Sequence, residues 1–470
     1  MRNVFRPQGH APTAQPTAAG TTRRRAIGSA IRKAAGHMYL APLVTLLYLV
    51  FYGNIPDNLN GVSFKPFVTS GTIDRIVKVC AILFSIAVIA SRWSVVRRMA
   101  RDFNPGLIAF ILLVPLSAAW SINPNATLLR FTTLFGILLL CLAIPLAGWD
   151  PKRFQKIATP PVMFILISSL LIGMIAPTAV KEIGEDISLA DAWRGITFQK
   201  NQFGMTASFG VILCAHRLLV PGKFSAWNIV ALGISFTCLA LSRSSTSLLA
   251  TLMALFFMVL VLKVPFIKRS FTPLVAIGIF CLIIIYELAI QNLIPGVYTL
   301  LQPVMELTGK DMTFSARSVI WEVVKEHSRA APWLGSGYGA YWADETPQSP
   351  SYVFVYLMNF WPSSSHNGYL EILNDLGRLG LVCLLAFLVW YLRQALQLLQ
   401  FDRSQAVLYL GLLYQQMVAN LSESEWFSRT TICTLVILCS TCLSRSLLEY
   451  RVRAPQAGRS GATSGRYRRP

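Results

Sequence analysis

The run Ser247-Leu248-Leu249-Ala250-Thr251-Leu252-Met253-Ala254-Leu255-Phe256-Phe257-Met258-Val259-Leu260-Val261-Leu262 holds no charged side chain, and Lys263 closes it. A helix crossing a bilayer needs roughly 20 predominantly apolar residues. Runs of the same kind recur near 38–53, 76–91, 106–120, 131–148, 160–178, 203–221, 226–242, 271–290, 379–397, 404–420 and 430–446. Several fall a little short of a full span, so their bounds are soft. The pattern predicts an all-α polytopic membrane protein with about 12 transmembrane helices.

Composition agrees. The chain has 470 residues, 54% hydrophobic and 13% charged, against roughly 25% charged in a soluble domain. A soluble fold could not cover so many all-round apolar helices with polar surface. The formal charge is +21, which invites a nucleic-acid partner. The placement of the charges speaks against one.

With the N-terminus in the cytoplasm, the inner segments become 1–37, 92–105, 149–159, 216–225, 262–270, 393–403 and 445–470. They hold 28 of the 42 Lys and Arg, and of the 21 acids only Asp102, Asp150, Asp402 and Glu449. Net charge then divides as +24 inside and −3 outside. The positive-inside rule therefore puts both termini in the cytoplasm of an inner-membrane protein. Residues 1–37 and 447–470 read as disordered basic tails, and 38–446 as the transmembrane domain. The outer loop 291–378, between spans 9 and 10, is far longer than its neighbours. Loops of that length are more often functional than idle.

The nine cysteines all lie in apolar segments and the five histidines are scattered. Neither set has the spacing of a disulfide framework or a metal site, so no metal and no cofactor is expected. Glu287 and Lys78 stand at the outer ends of their spans. Ion-coupled transport usually needs acids or histidines deeper in the membrane.

Four outer pieces carry polar chemistry. Ser365-His366-Asn367-Gly368 leads from a polar tract into a helix, with Glu371 following. Arg317 and Trp321 lie one turn apart on a helical stretch. Gly335-Ser336-Gly337-Tyr338-Gly339 is a turn where backbone can approach a ligand. Arg243 stands between two apolar runs, and Arg194 and Lys200 precede the sixth. Taken singly, each has a plain structural reading: a His at a helix start, an amphipathic surface helix, a tight turn, a snorkelling Arg. Together they place Arg194, Arg243, Arg317 and His366 on one membrane face. Arginines bind a diphosphate by charge and fork geometry. An imidazole suits removal of a hydroxyl proton.

The same residues carry a resemblance. His366-Asn367, then nine residues, Gly377, two residues and Gly380 resemble the signature of the O-antigen ligase and Wzy-type polysaccharide polymerase superfamily. Arg317 with Trp321, Pro332 with Gly335 and Gly337, and the Ser121-Ile122-Asn123-Pro124 run look like the family too. The resemblance covers roughly residues 40–445. It implies a GT-C-like, metal-independent, inverting glycosyltransferase that uses an undecaprenyl-diphosphate-linked glycan at the periplasmic face. It implies Arg243 and Arg317 on the diphosphate, and His366 as acceptor-activating base or diphosphate orienter. Arg194, Lys200, Asn367, Trp321 and Tyr338 would bind or shape the substrate. A flippase and a chain-length regulator are the partners it implies. Ser242 to Ser247 look more like an exopolysaccharide polymerase of the succinoglycan type than like a ligase. The ligase remains the alternative, and a transporter of lipid-linked sugars is the reading from another class.

Overall fold

The computed structural model describes residues 72–146, 149–182, 191–197, 199–222, 225–265, 270–290, 315–343, 346–428 and 431–464. The expected first span, 38–53, and the start of the long loop, 291–314, lie outside them. The described residues form helices with no named strand; one isolated bridge joins Lys181 and Trp193.

The longer helices are α1 (Thr72–Ser91), α2 (Trp93–Met99), α3 (Pro105–Leu116), α4 (Pro124–Leu146), α5 (Phe154–Ile175), α6 (Lys200–Leu219) and α7 (Ala226–Leu241). They are followed by α8 (Ser245–Lys263), α9 (Thr272–Ile290), α10 (Ser315–Ala330), α11 (Gly368–Leu398), α12 (Arg403–Ala419) and α13 (Thr431–Ser464). Each apolar run from 76–91 onward thus falls on a helix. Five described helices are long and apolar enough to cross a membrane: α4, α5, α8, α11 and the 433–452 part of α13. A bent pair, Trp93–Asp102 with Pro105–Ala119, would make a sixth.

Length and hydropathy fall short elsewhere for a physical reason. α6 and α12 are buried along nearly their whole length and face protein on every side. They carry Gln202, Thr206, Ser208, Gln405, Gln415 and Gln416, all buried. The interior helices are the more polar ones, and the outer helices present Leu129, Ile175, Phe256, Leu274 and Val382 outward. That inversion suits a surface bathed by lipid, where apolar contact costs nothing and unpaired polar groups do.

Close packing fixes the helices against one another. The Asn104 side chain caps α3 by accepting from the Gly106 and Leu107 N–H groups, and its Nδ2 donates to the Phe387 carbonyl of α11 at 2.9 Å. A Cβ added at Gly106 would stand 2.1 Å from the Phe387 nitrogen, so backbone meets backbone there. Small residues permit such approaches between membrane helices.

α11 contains a break. Gly377 sits at φ 63°, ψ −161° inside the helix. The loop 332–337 satisfies the backbone groups around it. Ser336 N–H donates to the Asn374 carbonyl at 3.0 Å and Gly337 N–H to that of Asp375 at 2.9 Å. In the other direction Arg378 N–H donates to the Pro332 carbonyl at 2.9 Å. Backbone groups freed by such a break need partners of this kind wherever they are buried. The Ser121–Pro124 run joins the same layer through Ile122 N–H to the Ser336 carbonyl, 3.0 Å.

Candidate active site

α11 begins where its sequence lets it. Asn367 has extended backbone, and its Oδ1 accepts from the N–H groups of Tyr369 and Leu370, both at 2.9 Å. This is a side-chain N-cap. Its Nδ2 donates to Glu287 of α9 at 3.1 Å and to the Leu421 carbonyl at 3.3 Å. Asn367 therefore ties together α9, α11 and the 420–428 connection between α12 and α13. That connection folds around Asn420, whose Oδ1 accepts from the N–H groups of Glu425 and Trp426, both at 2.8 Å.

His366, one residue before the cap, stands at φ 50°. A non-glycine residue there is held by its surroundings rather than by preference. Its Nδ1 lies 3.4 Å from Oε2 of Glu423. Arg317 on α10 donates from Nη2 to Glu423 Oε1 at 2.8 Å and from Nη1 to the Ser422 carbonyl. Asn201, in the first turn of α6, donates to Glu423 Oε1 at 2.6 Å, and Gln199 donates to Oε2 at 3.4 Å. One buried carboxylate thus gathers four side chains from three separate parts of the chain. Glu423 is 3% exposed, while Arg317 and His366 keep 21% and 22% of their side chains accessible. A substrate would meet the guanidinium and the imidazole, with the carboxylate behind them.

The charges are mutually tuned. Burial pushes the Glu423 carboxyl up, but hydrogen bonding and charge from His366, and then the charge and hydrogen bond of Arg317, bring it below the usual carboxylate range. An anion at this position favours a proton on Nδ1 of His366, which leaves Nε2 as the basic nitrogen. Glu182 moves the other way. Burial raises it, against the Lys200 N–H and the charges of Arg194 and Lys200, and the Glu423 charge raises it further.

The remaining expected residues divide by position. Arg243 sits at φ 48°, with 56% of its side chain exposed and Asp191 3.9 Å away. Its neighbour Thr246 accepts from Ser422 Oγ at 2.6 Å, which brings the Arg243 turn beside the Glu423 loop. Lys200 opens α6, and its N–H donates to Glu182 at 2.6 Å. Arg194 is buried, donates to the Ala179 carbonyl at 3.4 Å and sits near Glu182. Trp321 Nε1 donates to the Ser365 carbonyl at 2.9 Å, directly behind His366. Tyr338 is 5% exposed; its hydroxyl donates to the Phe427 carbonyl and its ring meets Phe110 edge-on. Trp321 and Tyr338 brace the two ends of the arrangement.

Sequence reasoning passed over Glu423, Glu182 and Asn201. The signal available was the run Asn420-Leu421-Ser422-Glu423-Ser424-Glu425-Trp426, which packs two acids into one short outer turn.

Comparison with known proteins bears on the same residues. Residues 230–385 match the family model described as O-Antigen ligase, Wzy_C. That stretch runs from α7 into α11 and contains Arg243, Arg317, His366 and Asn367. The chain is also 24% identical over 308 residues to the exopolysaccharide production protein ExoQ of Rhizobium meliloti (strain 1021). Both matches are to the O-antigen ligase and Wzy-type polymerase superfamily that the sequence motifs resemble. The match to ExoQ takes in 63% of this chain and 66% of the relative, just under two thirds of its length. A chain from the solved structure titled "Structural coordination of polymerization and crosslinking by a peptidoglycan synthase complex" is 19% identical, covering 77% of this chain and 98% of that one. Its TM-score of 0.37 makes it too distant to carry an argument. The family match and the five described helices long and apolar enough to cross a membrane together make this a multi-pass membrane protein.

Proposed function

We propose that the protein polymerises undecaprenyl-diphosphate-linked oligosaccharide repeat units into exopolysaccharide or O-antigen, at the periplasmic face of the inner membrane. The observation that carries this reading is the Arg317–Glu423–His366 cluster, with Arg243 on the adjoining turn. Arg317 and Arg243 receive the donor's diphosphate, and their charge stabilises it as it leaves. His366, oriented by Glu423, takes the proton from the acceptor hydroxyl through Nε2. The hydroxyl oxygen forms the new glycosidic bond as the bond to the diphosphate breaks. Glu423 is a positioning residue: it holds both groups and lies behind them. The relative's name, an exopolysaccharide production protein, favours polymerisation.

The second reading is ligation, transfer of the finished glycan to lipid A core. The description of the matching family model favours it. One experiment separates the two. The purified protein receives lipid-linked repeat unit, with and without a lipid A core acceptor. A ladder of longer lipid-linked glycans supports polymerisation, and product on the core acceptor alone supports ligation. Neither product, with accelerated movement of the lipid across the bilayer, would overturn both.

A further inference from the structure

A second polar site lies at the opposite end of α11. A cavity of about 120 Å³ opens between the Ala100–Asp102 turn, α11 and α13. One ordered water needs roughly 10–15 Å³ on this measure, so the space admits a phosphate group. Arg101, Arg393 and Arg451 line it, against the single acid Asp102. Asp102 is taken by Arg451, which also donates to Gln397 at 3.1 Å. Arg101 makes no ion pair among the described residues, and Arg393 lies over the Trp390 ring at 4.4 Å from its centroid. The site thus retains two positive charges that no acid in its lining answers.

The lining also holds unmet hydrogen-bonding capacity. Gln394 is 2% exposed. Its Nε2 donates to the Asp102 carbonyl and to Ser444 Oγ, while its Oε1 is buried with no hydrogen-bond partner among the described residues. Trp390 Nε1 is in the same condition. A ligand with phosphate oxygens and a hydroxyl would answer both: the phosphate accepts from Trp390 and the arginines, and the hydroxyl donates to Gln394.

Position narrows the source. Arg393 lies 25 residues along α11 from Gly368, at most about 38 Å at the helical rise given the break at Gly377. That is about the hydrocarbon core plus part of one headgroup layer. The cavity and the candidate active site therefore face opposite membrane surfaces. Beside the cavity, α2 turns 105° away from α3 and carries Arg97 and Arg98, with Trp93 half exposed. A short basic helix bearing an outward Trp is built to lie in a headgroup layer. Basic pockets between membrane helices bind anionic headgroups.

We infer that this cavity binds the phosphate of an anionic phospholipid headgroup through Arg101, Arg393 and Trp390. The site stands apart from the glycan-transfer reading, and its occupancy is measured without turnover. Full-length protein in neutral detergent is titrated with phosphatidylglycerol, phosphatidylcholine or inorganic phosphate, and followed by native mass spectrometry and thermal unfolding. The expected result is retained phosphatidylglycerol and a raised melting temperature, with no such effect from the other two. Arg393→Gln and Arg101→Gln should each weaken that binding about fivefold, from about 1 kcal/mol per arginine at an anionic surface. Arg329→Gln, in the exposed last turn of α10, should leave it unchanged. Equal binding of phosphatidylcholine, wild-type binding by both variants, or reproduction of the effect by inorganic phosphate would overturn the proposal. If Arg393→Gln fails to fold, the exposed Arg101→Gln carries the same test.

Discussion

At the scale of the residue, the proposed chemistry turns on Glu423. Its carboxylate bonds both Arg317 and His366. Replacing it with Gln keeps the shape and removes the charge. Glu423→Gln should lower the transfer rate on the order of 10²-fold, the low end of what a positioned base contributes, and should shift the pH–rate profile as well. A residue with only a packing role would leave that profile in place. Arg317→Lys keeps the charge but loses the fork that holds Glu423 and Ser422 together. It should raise KM for the lipid-linked donor as well as lower kcat, measured with donor varied at fixed acceptor. The pH dependence of the Glu423 loop has a definite sign. A carboxyl whose folded pKa lies below its ordinary value of 4.5 contributes order that is fully present above 4.5. That order is lost as pH falls through the lower folded value. Amide exchange over 420–428 should therefore be flat between about pH 7 and pH 5 and rise only under more acid conditions. Earlier loss of protection would show that Glu423 is not the anchor. Arg317 and His366 were legible in the sequence because each falls in a motif, Arg317 with Trp321 and His366 with Asn367, on the expected outer face. Glu423 was not, because acids there are common and only the fold reveals which of them is buried.

At the scale of the element, α11 is where signature and structure coincide. The His-Asn pair places a residue of strained backbone directly before a cap, and the first glycine ten residues after Asn367 is the break that loop 332–337 fills. Asn367→Ala removes the cap, worth about 1 kcal/mol, together with the link to Glu287. The melting temperature in detergent should fall even where activity is not assayed. Gly377→Ala should be more damaging. Its φ of 63° disfavours any side chain, and a Cβ would stand 2.3 Å from the Trp333 carbonyl carbon. Strain of this kind costs about 1–3 kcal/mol before the clash is counted, so reduced folded yield is the expected readout. The spacing of these residues could be read from the sequence; the partner of the break could not. Nothing in Pro332 to Gly337 announces that its backbone will complete a helix some forty residues away.

At the scale of the whole molecule, two distributions organise the protein. Apolar periodicity located the helices well, because a lipid-facing helix needs long uncharged runs. It located α6 and α12 too, at 203–221 and 404–420, although a helix surrounded by protein is free to carry Gln, Thr and Ser. The second distribution is the +24 to −3 division of charge. It sets an expectation for reporter fusions: an alkaline phosphatase fused after Ser349 should be active, and one fused after Arg403 inactive. The opposite pattern would reverse the assignment of faces.

The seam between α3 and α11 has a mechanical consequence. Where Gly106 lets two backbones touch and Asn104 is bonded across to the Phe387 carbonyl, neither helix can slide or tilt without breaking both contacts. Alternating access requires one bundle to rock against another around a central site. A joint welded between the first turn of α3 and the very helix that carries the His-Asn pair at its mouth leaves little hinge for such a stroke. The molecule is built less like a gate than like a bench: its tools stay fixed at one edge, and under the proposed function the glycan would do the travelling.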